Sequence, residues 1–416
     1  MAPHAERPRS AHEPPPTAGL PLRAADLLPG GDAALDTALV RFLGVESVQL
    51  ECSGTAALVV ALTALRDLTP ARREVVVPAY TCPLVALAVA RCGLALRVCE
   101  LLPEGFDMDP VALAALCGPM TLAVVPTHLG GRVGDAAPAR ACARAVGAWT
   151  IEDAAQALGA RIGTEGRSVG SDSDIAFFSL AVGKGLTIFE GGALVARDPA
   201  LRAALQAASA RLVPSCPGWE LRRSIELLGY AALYRPAGLR WAYGRPLRQA
   251  LAREDWVAAA GDDFEADIPL HRVGRWRRAV GVRALERLPA FLEQTRRQAA
   301  ARIARLRQLP GITVLDDSAA VPGARGTWPV LLVLLPDQAR RDALVRRLWG
   351  AGCGVSLPFV QVLPDYVRYA DVVPAVRPGA LPHARATAGR LLAISNSPWL
   401  DDARFDHLCD ALARGA

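Results

Sequence analysis

The sequence predicts an α/β fold in which a large domain carries a mainly parallel, seven-stranded sheet and a smaller α+β domain follows at the C-terminal side. Three observations predict it. Up to about residue 200, apolar strand-like runs alternate with Ala/Leu/Arg-rich helical stretches, the pattern of a mainly parallel sheet. The 416 residues suit about two or three domains by length. Apolar residues make up 52% and charged residues 21%, so most of the chain can bury a core.

The elements follow in order. Residues 1–22 carry Pro3, Pro8, Pro14, Pro15 and Pro16 among polar residues and read as a disordered tail. Residues 23–262 form the large domain. Its strand-like runs are Val45–Leu50, Glu74–Pro78, Leu96–Glu100, Leu122–Pro126, Trp149–Glu152, Ile175–Ser179 and Ala193–Ala196. Helical stretches such as Ala56–Leu65, Pro83–Cys92 and Ala136–Val146 separate many of them. Residues 206–262 read as a helical insertion, with Trp219, Tyr230, Tyr234, Trp241 and Tyr243 among arginines. Residues 263–416 form the small domain. It opens on one long amphipathic helix at 275–308, with Trp276, Val280, Ala284, Leu288, Phe291 and Leu292 on one side. Strand Val330–Leu335, helix Gln338–Ala351 and helix Asp402–Leu412 complete it.

Charge and cysteine usage narrow the function. The net charge of +6 is spread along the chain without a Lys/Arg block, so it reads as a solvated surface and no nucleic-acid partner is expected. The nine cysteines form no CxxC pair and several lie in apolar runs, as buried thiols do in a reducing cytoplasm; no metal site is expected. The N-terminus has no apolar leader, and Val75 to Ala90 is too short to span a bilayer. Segment Leu227 to Tyr243 is apolar and edged by aromatics and arginines. It packs over a site mouth or a subunit interface, or residues 225–245 touch a membrane surface peripherally.

Lysine and arginine total 47, and Lys184 is the single lysine. An exposed cation can be either residue, but guanidinium stays protonated and cannot form an imine. The surviving lysine marks a place where a primary amine is required, and its setting, Phe178-Ser179-Leu180-Ala181-Val182-Gly183-Lys184-Gly185, is a strand end followed by a glycine-flanked loop. Desolvation there would free the amine to meet a cofactor aldehyde, with Ser179 placed to hold a phosphate. Three further segments sit at strand ends, where open α/β sheets place ligands. Cys52-Ser53-Gly54-Thr55-Ala56-Ala57 opens a helix, so it is an anion site or an ordinary N-cap. In Ile151-Glu152-Asp153-Ala154-Ala155-Gln156, Asp153 pairs with a protonated ring nitrogen or caps the next helix. In Pro126-Thr127-His128-Leu129-Gly130-Gly131, His128 approaches a ring or is a satisfied structural residue.

These segments, with Pro78-Ala79-Tyr80-Thr81 and Glu190-Gly191-Gly192, occur in an order that resembles the DegT/DnrJ/StrS aminotransferases, of the pyridoxal 5′-phosphate (PLP) fold type I superfamily. The resemblance covers about residues 25–200 and resumes at Arg272–Leu288 and in the C-terminal domain. It implies PLP as cofactor, with Lys184 as the Schiff-base lysine and proton shuttle and Asp153 on the pyridine nitrogen. It also implies Gln156 beside the ring hydroxyl, and Ser179, Gly54, Thr55 and Ala56 around the phosphate. Cys82 stands where the family often has an aromatic stacking on the ring, which leaves Tyr80 or His128 for that part. Leu270 stands where an asparagine reaches the partner subunit's phosphate in a homodimer, and Asn396-Ser397-Pro398 replaces a His-Pro pair.

The function so implied is transfer of an amino group from glutamate or glutamine to a keto-sugar, nucleotide-linked, for a polysaccharide or a secondary metabolite. The alternatives are a PLP-fold sensor or scaffold without catalysis, and a sugar dehydratase, against which the lysine itself argues because those relatives carry histidine there.

Overall fold

A computed structural model describes residues 13–316 and 321–415. The large domain's sheet has seven strands: β1 (Gln49–Glu51), β2 (Glu74–Pro78), β3 (Ala95–Cys99), β4 (Thr121–Val124), β5 (Trp149–Asp153), β8 (Ile175–Ser179) and β9 (Gly192–Ala196). A hairpin of β6 (Arg161–Ile162) and β7 (Arg167–Ser168) lies between β5 and β8. The strand order is β1-β9-β8-β5-β4-β2-β3. Strands β3, β2, β4, β5 and β8 run parallel, while β9 is antiparallel to both of its neighbours. Helices cover both faces of such a sheet, so its strands are near-continuous apolar runs: every residue of β4, β8 and β9 is buried.

Helix α1 (Leu35–Leu43) precedes the sheet, and α2 (Gly54–Leu68) follows β1 directly. Eleven of the fifteen residues of α2 are buried, which makes it the central helix of the domain. Helices α3 (Pro83–Arg91), α4 (Pro110–Leu116) and α5 (Ala137–Ala145) connect the parallel strands. The turns after β1, β4, β5 and β8 all open at one edge of the sheet, and the sequence segments singled out above are those turns.

After β9 the chain is helical: α6 (Pro199–Leu212), α7 (Pro217–Leu233), α8 (Pro236–Leu239), a π-turn at Arg240–Gly244, α9 (Arg245–Ala252) and α10 (Trp256–Ala260). Helix α6 packs on α2 as part of the large domain, so the departure from it begins at α7. The aromatic segment packs against the chain's own core. Leu227, Tyr230, Tyr234 and Leu239 are buried, and Tyr243 packs against the core. Of the aromatics expected at a membrane-facing edge, Trp241 alone is largely exposed. The tyrosines turn inward because their rings stack on one another and the Tyr234 hydroxyl has backbone partners. No helix among the described residues is long and apolar enough to cross a membrane.

The expected single helix at 275–308 is two helices, α11 (Arg275–Leu285) and α12 (Leu288–Leu306). Pro289 in the first turn of α12 explains the break, since its ring would clash with the carbonyl of Leu285 in a continuous helix. The small sheet has the order β10-β11-β13-β12, with β10 (Thr313–Leu315), β11 (Val330–Leu334), β12 (Val355–Ser356) and β13 (Leu391–Ser395), all antiparallel. Helices α13 (Gln338–Leu348), α14 (Pro382–Arg390) and α15 (Asp402–Gly415) pack around it.

Two joints fix the insertion and the chain's start. Arg277, fully buried in α11, donates to both oxygens of Glu220 in α7 at 2.9 and 2.6 Å and to the Glu190 carbonyl at 2.6 Å. Such a bidentate pair holds α7 against the wall that carries Glu190. The expected tail at 1–22 differs from residue 13 onward: Glu13, Pro14, Pro15, Ala18, Gly19, Leu20 and Leu22 are buried. Prolines lack an N–H, yet their rings pack well where the extended chain is held by its neighbours. Residues 1–12 lie outside the described residues.

Candidate active site

The strand-end turns enclose a cavity of about 630 Å³ that reaches from the first turn of α2 to the loop after β12. Eight of the nine cofactor-site residues read from the sequence line it: Gly54, Thr55, Cys82, His128, Asp153, Gln156, Ser179 and Lys184. Ala56 does not. It is fully buried, and its N–H donates to the N-cap Ser53 Oγ at 2.9 Å.

One end of the cavity suits an anion. Ser53 caps α2, and no partner among the described residues takes the N–H of Gly54 or Thr55. These first-turn donors point where the helix dipole is positive. Gly54 is required there for space: a Cβ on it would stand 3.1 Å from the Ser179 Cβ. The Ser179 hydroxyl accepts weakly from the Ala181 N–H at 3.3 Å and lines the same end.

The middle of the cavity holds Lys184 and Asp153. Burial draws the Lys184 ammonium below the ordinary lysine range, and the nearby Cys82 and Asp153 offset this only in part. Burial raises Asp153, against the N–H of Ala155 and the charge of Lys184. Both groups are thus drawn toward their neutral forms. A neutral amine is a nucleophile and a proton carrier. A cationic ring nitrogen beside Asp153 would return the carboxylate to its charged form and hold that ring in place. The bond of Asp153 Oδ1 to the Ala155 N–H, at 3.0 Å, is a local turn contact, and no α-helix follows for the residue to cap.

Around this pair the other residues divide. Gln156 Oε1 accepts from the Gly130 N–H at 2.6 Å, which leaves its amide N–H groups for the cavity. Burial pushes the Cys82 thiol up to about 12, so it presents a neutral sulfur surface at the ring position. His128 accepts from the Gly134 N–H on Nδ1 at 3.0 Å, so Nε2 carries the proton and donates to Glu152 at 2.8 Å. Glu152 also accepts from Gly170 N–H and Ser173 Oγ. Burial would raise Glu152, but the hydrogen bonds from His128 and Ser173 and the nearby Arg140 together outweigh it and hold it low. Both ring nitrogens of His128 are thus engaged by the protein, while the residue lines the cavity, so its ring rather than its nitrogens is what it can offer there. Tyr80 does not reach the cavity; it is 1% exposed, stacked on Phe106, and donates to the Phe359 carbonyl at 2.7 Å.

Sequence reasoning missed three parts of this wall. Ser53 was visible as a hydroxyl before Gly-Thr. Pro16 and Thr17 come from the supposed tail. Asp262, just after α10, accepts from Val360 N–H at 2.9 Å and Tyr366 Oη at 2.5 Å, joining the insertion to the small domain across the cavity. Nothing in its local sequence marks it.

A half-buried amine and a buried carboxylate share one cavity at the open edge of a mainly parallel sheet, with an anion cradle beside them, an arrangement that suits an enzyme with a phosphorylated cofactor. The sequence profile of the DegT/DnrJ/EryC1/StrS aminotransferase family matches residues 31–213 and 272–413. The chain is 30% identical over 346 residues to the erythromycin biosynthesis sensory transduction protein EryC1 of Saccharopolyspora erythraea, across 82% of this chain and 79% of that one. It is 35% identical over 171 residues to GDP-perosamine synthase of Caulobacter vibrioides, a match that takes in 41% of this chain and 45% of that one. The solved structure of DesI with its TDP-sugar product shares the fold, with TM-score 0.72, 23% identity, and coverage of 99% and 95%. The protein belongs to the DegT/DnrJ/EryC1/StrS aminotransferase family.

Burial raises Asp262 from 3.8 to about 6, only partly opposed by Tyr366 and Val360. Its folded value lies above its unfolded one, so the fold favours the neutral acid. That advantage is complete below about pH 4 and fades as pH rises through about 6. Asp262→Asn, neutral at every pH, should match the native chain near pH 4 and exceed it by roughly 3 kcal/mol at pH 7. Urea unfolding at the two pH values measures this, and an equal loss at both contradicts it.

Proposed function

We propose that the protein is a PLP-dependent aminotransferase that takes an amino group from glutamate or glutamine and passes it to the carbonyl of a nucleotide-linked keto-sugar. The observation that carries the reading is the placement of the single lysine opposite Asp153 in the cavity. Bound there, the cofactor supplies an electron sink conjugated to the amino-bearing carbon. The chain's own groups do the rest. Gly54, Thr55 and Ser179 would hold its phosphate. Asp153 would hold a proton on its ring nitrogen, and Gln156 would donate beside the ring hydroxyl. The Lys184 amine, freed by burial, would carry the proton that moves between the two carbon positions.

The sugar acceptor rests on the family and on relatives such as the GDP-perosamine synthase. The donor rests on the family resemblance and on relatives such as the L-glutamine:2-deoxy-scyllo-inosose aminotransferase of Streptomyces kanamyceticus. An intact lysine and carboxylate favour an enzyme over a sensor, and a lysine in place of the histidine of the sugar dehydratases favours transfer over dehydration. Nine free cysteines support a reducing cytoplasm as its setting.

The reading also requires a second subunit. Among the described residues no arginine lines the cavity, although all but one of the 47 basic side chains in the sequence are arginine. A phosphate with only backbone donors and a hydroxyl lacks a charge partner. Arg272, exposed just before α11, and Arg275, exposed at its start, can supply one across a two-fold interface. A homodimer is therefore expected by sedimentation, and Arg272→Ala should weaken PLP binding without dissociating it. A fully active monomer contradicts the shared site.

Purified protein with PLP should show a visible absorption band that glutamate or glutamine bleaches and a keto-sugar nucleotide restores. Asp153→Asn should keep the fold and slow the bleaching by about 100-fold or more, as for a lost charge partner. A variant that melts early but keeps its turnover would make Asp153 a structural residue only.

A further inference from the structure

Residues 13–30 and 214–271 lie outside the family match, and they meet beside the loop that carries Lys184. That loop has little support of its own. Lys184 sits between Gly183 and Gly185, both with positive φ (76° and 83°), the most permissive backbone a chain can have. Its own amide has one long bond, 3.3 Å, to the Ala181 carbonyl. A catalytic amine needs a fixed position, so the rigidity has to come from elsewhere.

Residues 13–20 supply it. Gly19 forms a parallel bridge with Gly185, and the Leu20 N–H donates to the Gly185 carbonyl at 2.9 Å. Thr17 lies against Gly183, where any Cβ would collide with its hydroxyl. Pro16 and Thr17 form part of the cavity wall. The Ala18 N–H donates to the Pro329 carbonyl at 2.7 Å, tying the same segment to the small domain.

The insertion holds this segment from outside. The Tyr234 hydroxyl accepts from the Gly19 N–H at 2.9 Å and donates to the Thr17 carbonyl at 3.3 Å. The ring of Tyr234 is fixed between Tyr230 and Trp399, with centroids 4.5 and 5.0 Å away. At the far end the Glu13 N–H donates to the Pro236 carbonyl at 3.1 Å, and the buried Glu13 carboxylate pairs with Arg248 at 2.7 Å. One hydroxyl thus bridges two residues of the segment, one of which pairs with the residue after Lys184.

We propose that residues 13–20 are a strap that positions Lys184, and that the insertion holds the strap in place through Tyr234, its positioning residue. The proposal rests on Lys184 being the cofactor lysine, but the coupling of strap to loop can be measured without any chemistry. Tyr234→Phe removes the hydroxyl and keeps the ring in its stack. In the full-length variant, amide hydrogen exchange at 181–188 and 13–20 should accelerate at least about 5-fold, with β5 unchanged. In the loaded enzyme kcat should fall about 10-fold while KM for glutamate moves less than about 2-fold, the signature of a misplaced reacting group. Glu13→Gln, at the other anchor, should loosen 13–20 in the same direction. Native exchange at 181–188 in the Tyr234 variant overturns the strap, and so does faster exchange spread evenly over β5, which reports general destabilisation. Faster loop exchange with native kcat overturns the positioning role. An inactive native enzyme with the expected exchange pattern would instead refute the assigned transfer reaction and leave the strap standing.

Discussion

Placing a primary amine and a carboxylate together under the strand ends is the constraint on which the rest of the site depends. Each group loses water there, and burial draws both Lys184 and Asp153 toward their neutral forms. That state is unfavourable for stability and useful for chemistry, because a neutral amine can attack a carbonyl and a carboxylate can anchor a cationic ring. The sheet makes it possible. Strands β5 and β8 are neighbours, so the residue ending one and the loop following the other open on the same cavity. Glu152, next to Asp153, keeps the surrounding geometry by holding His128, Gly170 and Ser173 through hydrogen bonds.

Much of this arrangement was legible in the sequence for physical reasons. Parallel strands buried on both faces are continuous apolar runs, so Glu74–Pro78 and Ile175–Ser179 were found with their observed bounds. The lysine stood out because every other basic position had become arginine. The first turn of α2 was legible because Ser-Gly-Thr is the composition of a capped, open helix start. The same pattern misled at Ala56, whose N–H serves the cap.

Other parts were not legible, because they depend on partners far away in the chain. The break between α11 and α12 was signalled by Pro289, but the apolar periodicity runs through it. A proline-rich stretch reads as disorder until the surfaces that bury it are known, and those come from Pro236, Arg248, Pro329 and Gly185. Asp262 has an unremarked local sequence and gains its place from Tyr366 and Val360 on the opposite domain. His128 at a strand end suggested a ring contact, and only the positions of Glu152 and Gly134 reveal that both its nitrogens are already engaged.

The claim at the centre is that the amine of Lys184 is the group that meets the cofactor. Borohydride reduction of the protein loaded with PLP, followed by peptide mapping, tests it directly. The account expects one modified peptide, containing Lys184, and neither adduct nor transamination in Lys184→Arg. Label found elsewhere, such as at the N-terminal amine alone, or full activity in Lys184→Arg, would contradict it.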